Sequence, residues 1–241
     1  MTEDYPPIQN PGLPFYVDRI NRRELFTFSR WGDGEWRAAL GRRSEHHVNC
    51  DKHPFYPAMN ELLAQVLKSR PKYEMGIQGL ALRCYGNGIR SFIAQHCPDT
   101  VWYEADVFHK ASCKGQLRPL LQAIQNIPLL LVGPAYLKRG HALLKFSEFV
   151  EVPQKNCFLR LNTLYDHTLM AAKRMPKPFL LSISASMPAE ILLDRLYPHL
   201  KESAFLIDFG SMYDPFVNNN TRKYHKAMAP EIRTANLEGL L

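Results

Sequence analysis

The sequence has no apolar run long enough to cross a membrane. Its longest, Ile127-Pro128-Leu129-Leu130-Leu131-Val132, is far short of the roughly 20 residues that a bilayer requires. Cysteine is sparse, and Cys50, Cys84, Cys97, Cys113 and Cys157 include no Cys-x-x-Cys pair. An odd, scattered set argues against a disulfide framework or a zinc site and for reduced thiols in a cytoplasm. Residues 1–7 are acidic and Pro-rich without a hydrophobic signal core, so nothing there directs export. Residues 79–88 are Gly-rich but have neither Walker nor Gly-x-Gly-x-x-Gly spacing. No internal repeat is present. What remains is a chain of 241 residues, long enough to bury a substantial core as one large domain or two small ones.

Acidic residues are also in deficit. Lys and Arg number 30 against 23 Asp and Glu, a formal charge of +7. The imbalance concentrates early, in Arg19, Arg22, Arg23, Arg30, Arg37, Arg42 and Arg43, opposed by Glu24, Asp33 and Glu35. Individually most of these arginines read as a solvated basic face. As a group they suit bidentate contacts to phosphate and suggest anionic partners: a nucleotide diphosphate, an anionic lipid carrier or nucleic acid.

The most informative stretch is Phe26-Thr27-Phe28-Ser29-Arg30-Trp31-Gly32-Asp33-Gly34-Glu35-Trp36. Its bulky β-formers predict a short buried strand, ending in a turn where Gly32 and Gly34 flank Asp33. A helix begins near Trp36. Oxygen ligands on a tight turn suit a hard cation such as Mg²⁺ or Mn²⁺, especially one that also holds a diphosphate. Gly-Asp-Gly is equally a common turn, and Glu35 alone favours a helix N-terminus.

Further along, apolar periodicity predicts a helix over 56–68, a strand at 73–77 and a loop over 79–88 leading into a helix at 89–96. A strand at 101–105 ends at Asp106 and His109, either a candidate general base and equally a helix cap and a surface histidine. A helix over 117–127 precedes residues 128–132, continuous and apolar as a central parallel strand would be. Gly133-Pro134 and a helix through Leu137-Lys138-Arg139 form a candidate diphosphate cradle. Strands at 149–153, 179–183 and 204–209 and a long helix over 157–175 follow. Ser186 either caps the helix opened by Pro188 or holds a phosphate or sugar. His46, His47, Cys50, Asp51 and His53 lie in a polar loop, better read as a loop near the mouth of a site than as a metal centre. Strands alternating with helices throughout define an α/β fold, a Rossmann-like, mostly parallel sheet flanked by helices.

Ser29-Arg30-Trp31-Gly32-Asp33-Gly34-Glu35 resembles the R-[FW]-G-D-G-E signature of the GT-D-fold glycosyltransferases. Asp208-Phe209-Gly210-Ser211 with Asp214-Pro215 is similar to the run that closes the last strand of that family. The resemblance implies a single GT-D-type glycosyltransferase domain over 1–241, with residues 1–17 as an N-terminal arm and 212–241 as a tail over the site. It also implies that Asp33 and Glu35 serve nucleotide-sugar and metal binding, with Mn²⁺ or Mg²⁺ and a nucleotide-diphosphate sugar, most simply a UDP-sugar, as donor. Arg30, Gly32, Gly34, Gly133, Lys138 and Ser186 are then candidates for the diphosphate, and Asp208, Ser211, Asp214 and Arg222 for the same edge. Asp106 is the candidate base. The acceptor would be a hydroxyl of a glycan or glycoprotein, with a hydroxymethylated base in phage-type DNA or a lipid-linked glycan as the anionic options. A homo-oligomer is open. Two other readings stand beside this one. In a nucleic-acid-binding protein without catalysis, Trp31, Trp36 and Tyr85 would be stacking surfaces. The other is a Rossmann-like metal-dependent hydrolase or phosphotransferase.

Overall fold

The computed structural model describes residues 6–42, 56–219 and 222–240. The loop containing His46, His47 and His53, together with Arg43, lies outside the described residues. In chain order the elements are β1 (Ile8–Gln9), α1 (Leu13–Arg22), β2 (Thr27–Trp31), α2 (Asp33–Ala39), α3 (Pro57–Lys68) and β3 (Glu74–Ile77). Then come α4 (Gly79–His96), β4 (Trp102–Glu104), α5 (Val107–Cys113), α6 (Arg118–Gln125), β5 (Leu129–Pro134), α7 (His141–Leu144) and β6 (Glu148–Val152). The last are α8 (Leu161–Arg174), β7 (Phe179–Ile183), α9 (Pro188–Leu200), β8 (Ala204–Asp208), α10 (Lys223–Lys226) and α11 (Pro230–Leu237).

All eight described strands form one sheet, ordered β1-β4-β3-β2-β8-β7-β5-β6, and every pairing is parallel. This is the α/β architecture that the alternating pattern predicts. A parallel sheet needs apolar cover on both faces, and the period of two along each strand supplies it. Leu130 and Val132 of β5 and Leu206 of β8 enter one core with α2, α3, α4, α8 and α9. Leu129 and Leu131 of β5, with Phe205 and Ile207 of β8, enter the other with α1, α5, α6 and α7.

Several boundaries differ from the sequence reading. Residues 1–17, read as an arm, contain an edge strand and the start of α1. Tyr16, Val17 and Ile20 of α1 are buried, with Pro14 in the first turn, where its missing N–H costs nothing. Residues 79–88 are helical, and α4 runs from Gly79 with a kink at Tyr85 (φ −132°, ψ 15°). Residues 135–140, including Lys138, form a 3-10 helix, and 157–160 form another ahead of α8. Trp31 and Trp36 are fully buried, which removes them as stacking surfaces for nucleic acid. The early arginines are also dispersed. Arg19 pairs with Glu74 and covers Phe26, Arg23 donates to the Asn126 carbonyl at 2.7 Å, and Arg42 lies over Tyr85.

Candidate functional site

Topology selects the edge where a ligand would bind. After β5 the chain moves outward to β6, and after β7 it moves inward to β8, although β5 and β7 are neighbours. Loops that part in this way leave a crevice at the carboxyl ends of the strands. A crevice of about 390 Å³ lies there, lined by Arg30, Tyr136, Ser184, Ser186, Asp214 and Arg222, with Gln154, Gly210, Ser211 and Asn219 completing its polar wall. A larger cavity of about 640 Å³ opens at the opposite edge, around Arg19, Phe26, Glu74 and Tyr103. Arg19–Glu74, Arg70–Asp99 and Lys201–Glu202 pairs offset most of its charge, and the amino ends of parallel strands are not where ligands of this architecture bind.

Arg30 is the cation that the sheet itself brings to the crevice. Strand β2 carries it to the sheet edge, where its Nε lies 3.6 Å from Asp208 Oδ2 at the end of β8. Its backbone N–H donates to Glu190 Oε1 at 3.1 Å. Asp208 Oδ1 accepts the Gly210 N–H at 2.8 Å. Gly210 has φ +54°, and a Cβ there would lie 2.5 Å from Arg30 Nη2, so both backbone conformation and close approach require glycine. Burial pushes the carboxyl groups of both Asp208 and Glu190 above their ordinary range. The neighbouring Asp208 charge raises Glu190 further, while Arg30 holds Asp208 down. Like charges this close and this buried do not readily both ionise, and Arg30 favours the ionised form of Asp208.

Glu35 lies beside this cluster. Its Oε2 accepts the Gly32 N–H at 2.9 Å, the reciprocal half of a capping box at the start of α2. Burial raises its pKa to about 7 against the opposing pull of Arg30. Gly32 has no room for a side chain: a Cβ would meet Glu35 Oε2 at 2.9 Å and Gln78 Oε1 at 3.1 Å. Asp33 is half-buried in the first turn of α2, and its charge acts on Glu35 and on Tyr85.

On the other side of the crevice, Asp214 accepts the Tyr136 hydroxyl at 3.0 Å and Asn219 Nδ2 at 3.2 Å. Burial raises Asp214 to about 6 despite the Tyr136 bond and nearby Arg222. Asp106 accepts Gln78 Nε2 at 3.0 Å. Its charge, with that of Arg30, reaches His109, whose pKa burial lowers. The His109 ring faces His225 of α10 with centroids 6.5 Å apart.

Of the residues that the sequence singles out, Arg30, Ser186, Ser211, Asp214 and Arg222 meet in the crevice, and Asp208 and Glu35 lie beneath it. Lys138 and Gly133 do not line it. The Lys138 ammonium is 2.7 Å from Glu151, and Gly133 makes room for Leu137, whose Cδ1 would be 2.5 Å from an added Cβ. Asp33, Gly34 and Asp106 also stand outside the crevice wall. Sequence reasoning missed Glu190, Tyr136 and Gln154. The signal for Glu190 was present, an acid two residues after Pro188 in the first turn of α9, but an acid there reads as a helix-dipole partner. Among the described residues, no group of three or more His, Cys, Asp or Glu side chains is arranged to hold a metal ion.

No family model and no curated protein matches the chain. Among solved structures it is similar to a DUF1792 glycosyltransferase from Streptococcus sanguinis, at 18% identity and a TM-score of 0.59, over 90% of this chain and 87% of that one. It is also similar to domain of unknown function 1792, described as highly conserved and as having a distinct glycosyltransferase fold, at 18% identity and a TM-score of 0.62, over 90% and 84%. At this identity the likeness shows the fold alone.

Proposed function

We propose that the chain is a glycosyltransferase that takes a sugar from a nucleotide-diphosphate donor to an acceptor hydroxyl. The observation that carries this reading is Arg30. It is held by Asp208 and Glu190 at the wall of a crevice on the carboxyl edge of a sheet with a glycosyltransferase fold. A planar guanidinium suits bidentate contact with a diphosphate, and Arg222 adds a second positive charge to the same wall. Ser186, Ser211 and the polar groups about Asp214 supply hydrogen-bond partners for sugar hydroxyls.

Mg²⁺ or Mn²⁺ fits this reading in a restricted form. Such ions are often held by one or two carboxylates plus the substrate's phosphates, and the first turn of α2 offers Asp33 as that carboxylate. Glu35 already accepts the Gly32 N–H, so its part is to hold the turn that presents Asp33. The bound cation would supply charge neutralisation to the leaving diphosphate. Asp106 retains a role as base only with the acceptor entering from the β4 side, past His109. A glycan or glycoprotein hydroxyl is the preferred acceptor, with a hydroxymethylated DNA base as the anionic alternative. Among the described residues no helix is long and apolar enough to cross a membrane.

A thermal-shift series with nucleotide sugars, with and without Mn²⁺, tests the reading. Stabilisation by at least one donor, lost in Arg30→Ala, is expected. Absence of any stabilisation would favour a binding protein. Release of sugar at one rate with and without acceptors would favour the hydrolase.

A further inference from the structure

At the kink in α4 lies a surface trough of about 370 Å³, walled by Arg42, Arg83, Arg90 and Tyr85, with Gly86 and Gly88 between them. Among the described residues, no acidic side chain lines it. Three guanidiniums without a carboxylate favour an anion. Taking the glycosyltransferase reading as its basis, we propose that the trough is an acceptor subsite and that it seats a phosphate group carried by the acceptor glycan.

The trough differs from the rest of the basic surface. Arg22, Arg70, Arg118 and Arg174 each pair with a carboxylate. Arg42 and Arg83 form no ion pair among the described residues, so their charge is left to an outside anion. The floor is bare backbone. A helical glycine costs about 1 kcal/mol relative to alanine, yet Gly86 and Gly88 stand in the same turn of α4. Packing requires Gly88, where a Cβ would lie 3.1 Å from Leu40 Cδ1 and 3.2 Å from Arg42 Nη2. It does not require Gly86, where a Cβ would meet only the Arg90 guanidinium, 3.7 Å away. Glycine at 86 instead gives a ligand close approach to the main chain beside Arg90.

The trough is also placed for an acceptor. Burial raises the Tyr85 hydroxyl above its ordinary range, and the charges of Arg37, Asp33 and Arg42 all reach it. Asp33, the carboxylate proposed for the cation, is thus within electrostatic reach of the trough wall. A phosphate monoester has three acceptor oxygens and a charge of about −1.5 to −2, so it engages two guanidiniums at once. A nucleic-acid strand fits less well. Arg83 and Arg90 lie about two helical turns apart, roughly 10 Å, enough for one or two phosphates rather than the roughly six to ten of an extended DNA-binding face. The one ring in the wall, Tyr85, already has the Arg42 guanidinium over it, 5.6 Å from the ring centre.

The test is calorimetric titration of three probes into the full chain at fixed ionic strength. They are a dextran oligosaccharide, the same oligosaccharide bearing phosphate monoesters, and a single-stranded oligodeoxynucleotide with as many phosphates. The phosphorylated oligosaccharide should bind at least about tenfold tighter than either other probe. Arg83→Gln with Arg90→Gln should weaken it about tenfold or more, as should Gly86→Leu, which fills the trough and keeps every charge. Arg83 and Arg90 are exposed, so melting temperatures should hold and show that the variants fold. Lys68→Gln with Lys173→Gln removes two exposed charges elsewhere and should leave affinity unchanged. Absence of binding, equal loss in the lysine pair, or an oligonucleotide bound as tightly would overturn the subsite and leave the donor reading in place. Failure of every nucleotide sugar to stabilise the chain would overturn the donor reading, and the acceptor role of the trough with it.

Discussion

Arg30 and Asp208 come from strands far apart in sequence and meet at the carboxyl edge of the sheet, Nε to Oδ2 at 3.6 Å. Glu190 closes the arrangement from α9 by accepting the Arg30 backbone N–H. One cation thereby sits against two buried acids. Removing the cation should cost more than removing a surface pair. Arg30→Ala leaves Asp208 buried without its counter-charge, and a loss of about 3–5 kcal/mol is expected. Arg30→Ala with Asp208→Asn should recover much of that stability and none of the donor affinity. Denaturant unfolding of the singles and the double completes the cycle. Strict additivity would show that the two side chains do not interact.

Gly210 is a sharper probe, because the substitution adds a single methyl. Gly210→Ala forces a side chain into a left-handed backbone position and against Arg30 Nη2 at 2.5 Å. Arg30 must then move, so donor KM should rise about tenfold with a stability loss of about 1–2 kcal/mol. Kinetics alongside a melting curve separates the two effects. An unchanged KM would remove Arg30 from the donor site.

How much of this was legible in the sequence depends on range. Residues 179–183 are read as a strand and form one, because five consecutive buried positions leave no other economical pattern. The first strand and the turn after it are equally clear from Phe26 to Gly34. Helix α1 is obscured by prolines at 11 and 14, although only the second lies in the helix. The glycines of α4 suggest a loop because propensity is local, while the burial of Ala81, Ile89 and Ile93 that holds the helix is tertiary. The same holds for the site. Arg30 and Asp208 are visible as motif residues, but Glu190 becomes significant only when α9 is laid against β2. Lys138 shows the converse. Its place after a strand suggests phosphate, and in three dimensions Glu151 takes the charge.

Asp33 and Glu35 should separate under mutation although a single residue divides them. Glu35 caps α2 through the Gly32 N–H, so Glu35→Ala should lose about 1 kcal/mol or more of stability. Asp33 is half-buried with no such bond to the start of its own helix. Asp33→Asn should leave the melting temperature within a degree or two and abolish the stimulation of turnover by Mn²⁺. Measured metal titrations at fixed donor decide the matter. If Asp33→Asn retains full Mn²⁺ stimulation, the cation is held elsewhere.

The histidine pair gives the chain an acid-sensitive seam between α5 and the C-terminal segment. Burial lowers His225 to about 4, with His109 and Arg222 adding to the effect, and burial lowers His109 against the opposing charge of Asp106. A histidine whose pKa is depressed on folding binds fewer protons folded than unfolded between the two values. Its contribution is therefore intact above about pH 6.5 and lost as pH falls toward 4. Asp214, raised to about 6, acts in the opposite direction over an overlapping range, so the total stability profile would mask the effect. The informative quantity is the difference between the native chain and His225→Phe, which keeps a ring beside His109 and cannot take a proton. On lowering the pH from 7 to 5 at fixed ionic strength, the native chain should lose about 1 kcal/mol relative to the variant after solvent screening. For a domain of this size that is a relative fall of about 2–4 °C in melting temperature. Parallel pH profiles for the two proteins would show that His225 binds protons equally in the folded and unfolded chain, and it would then contribute no pH dependence to stability.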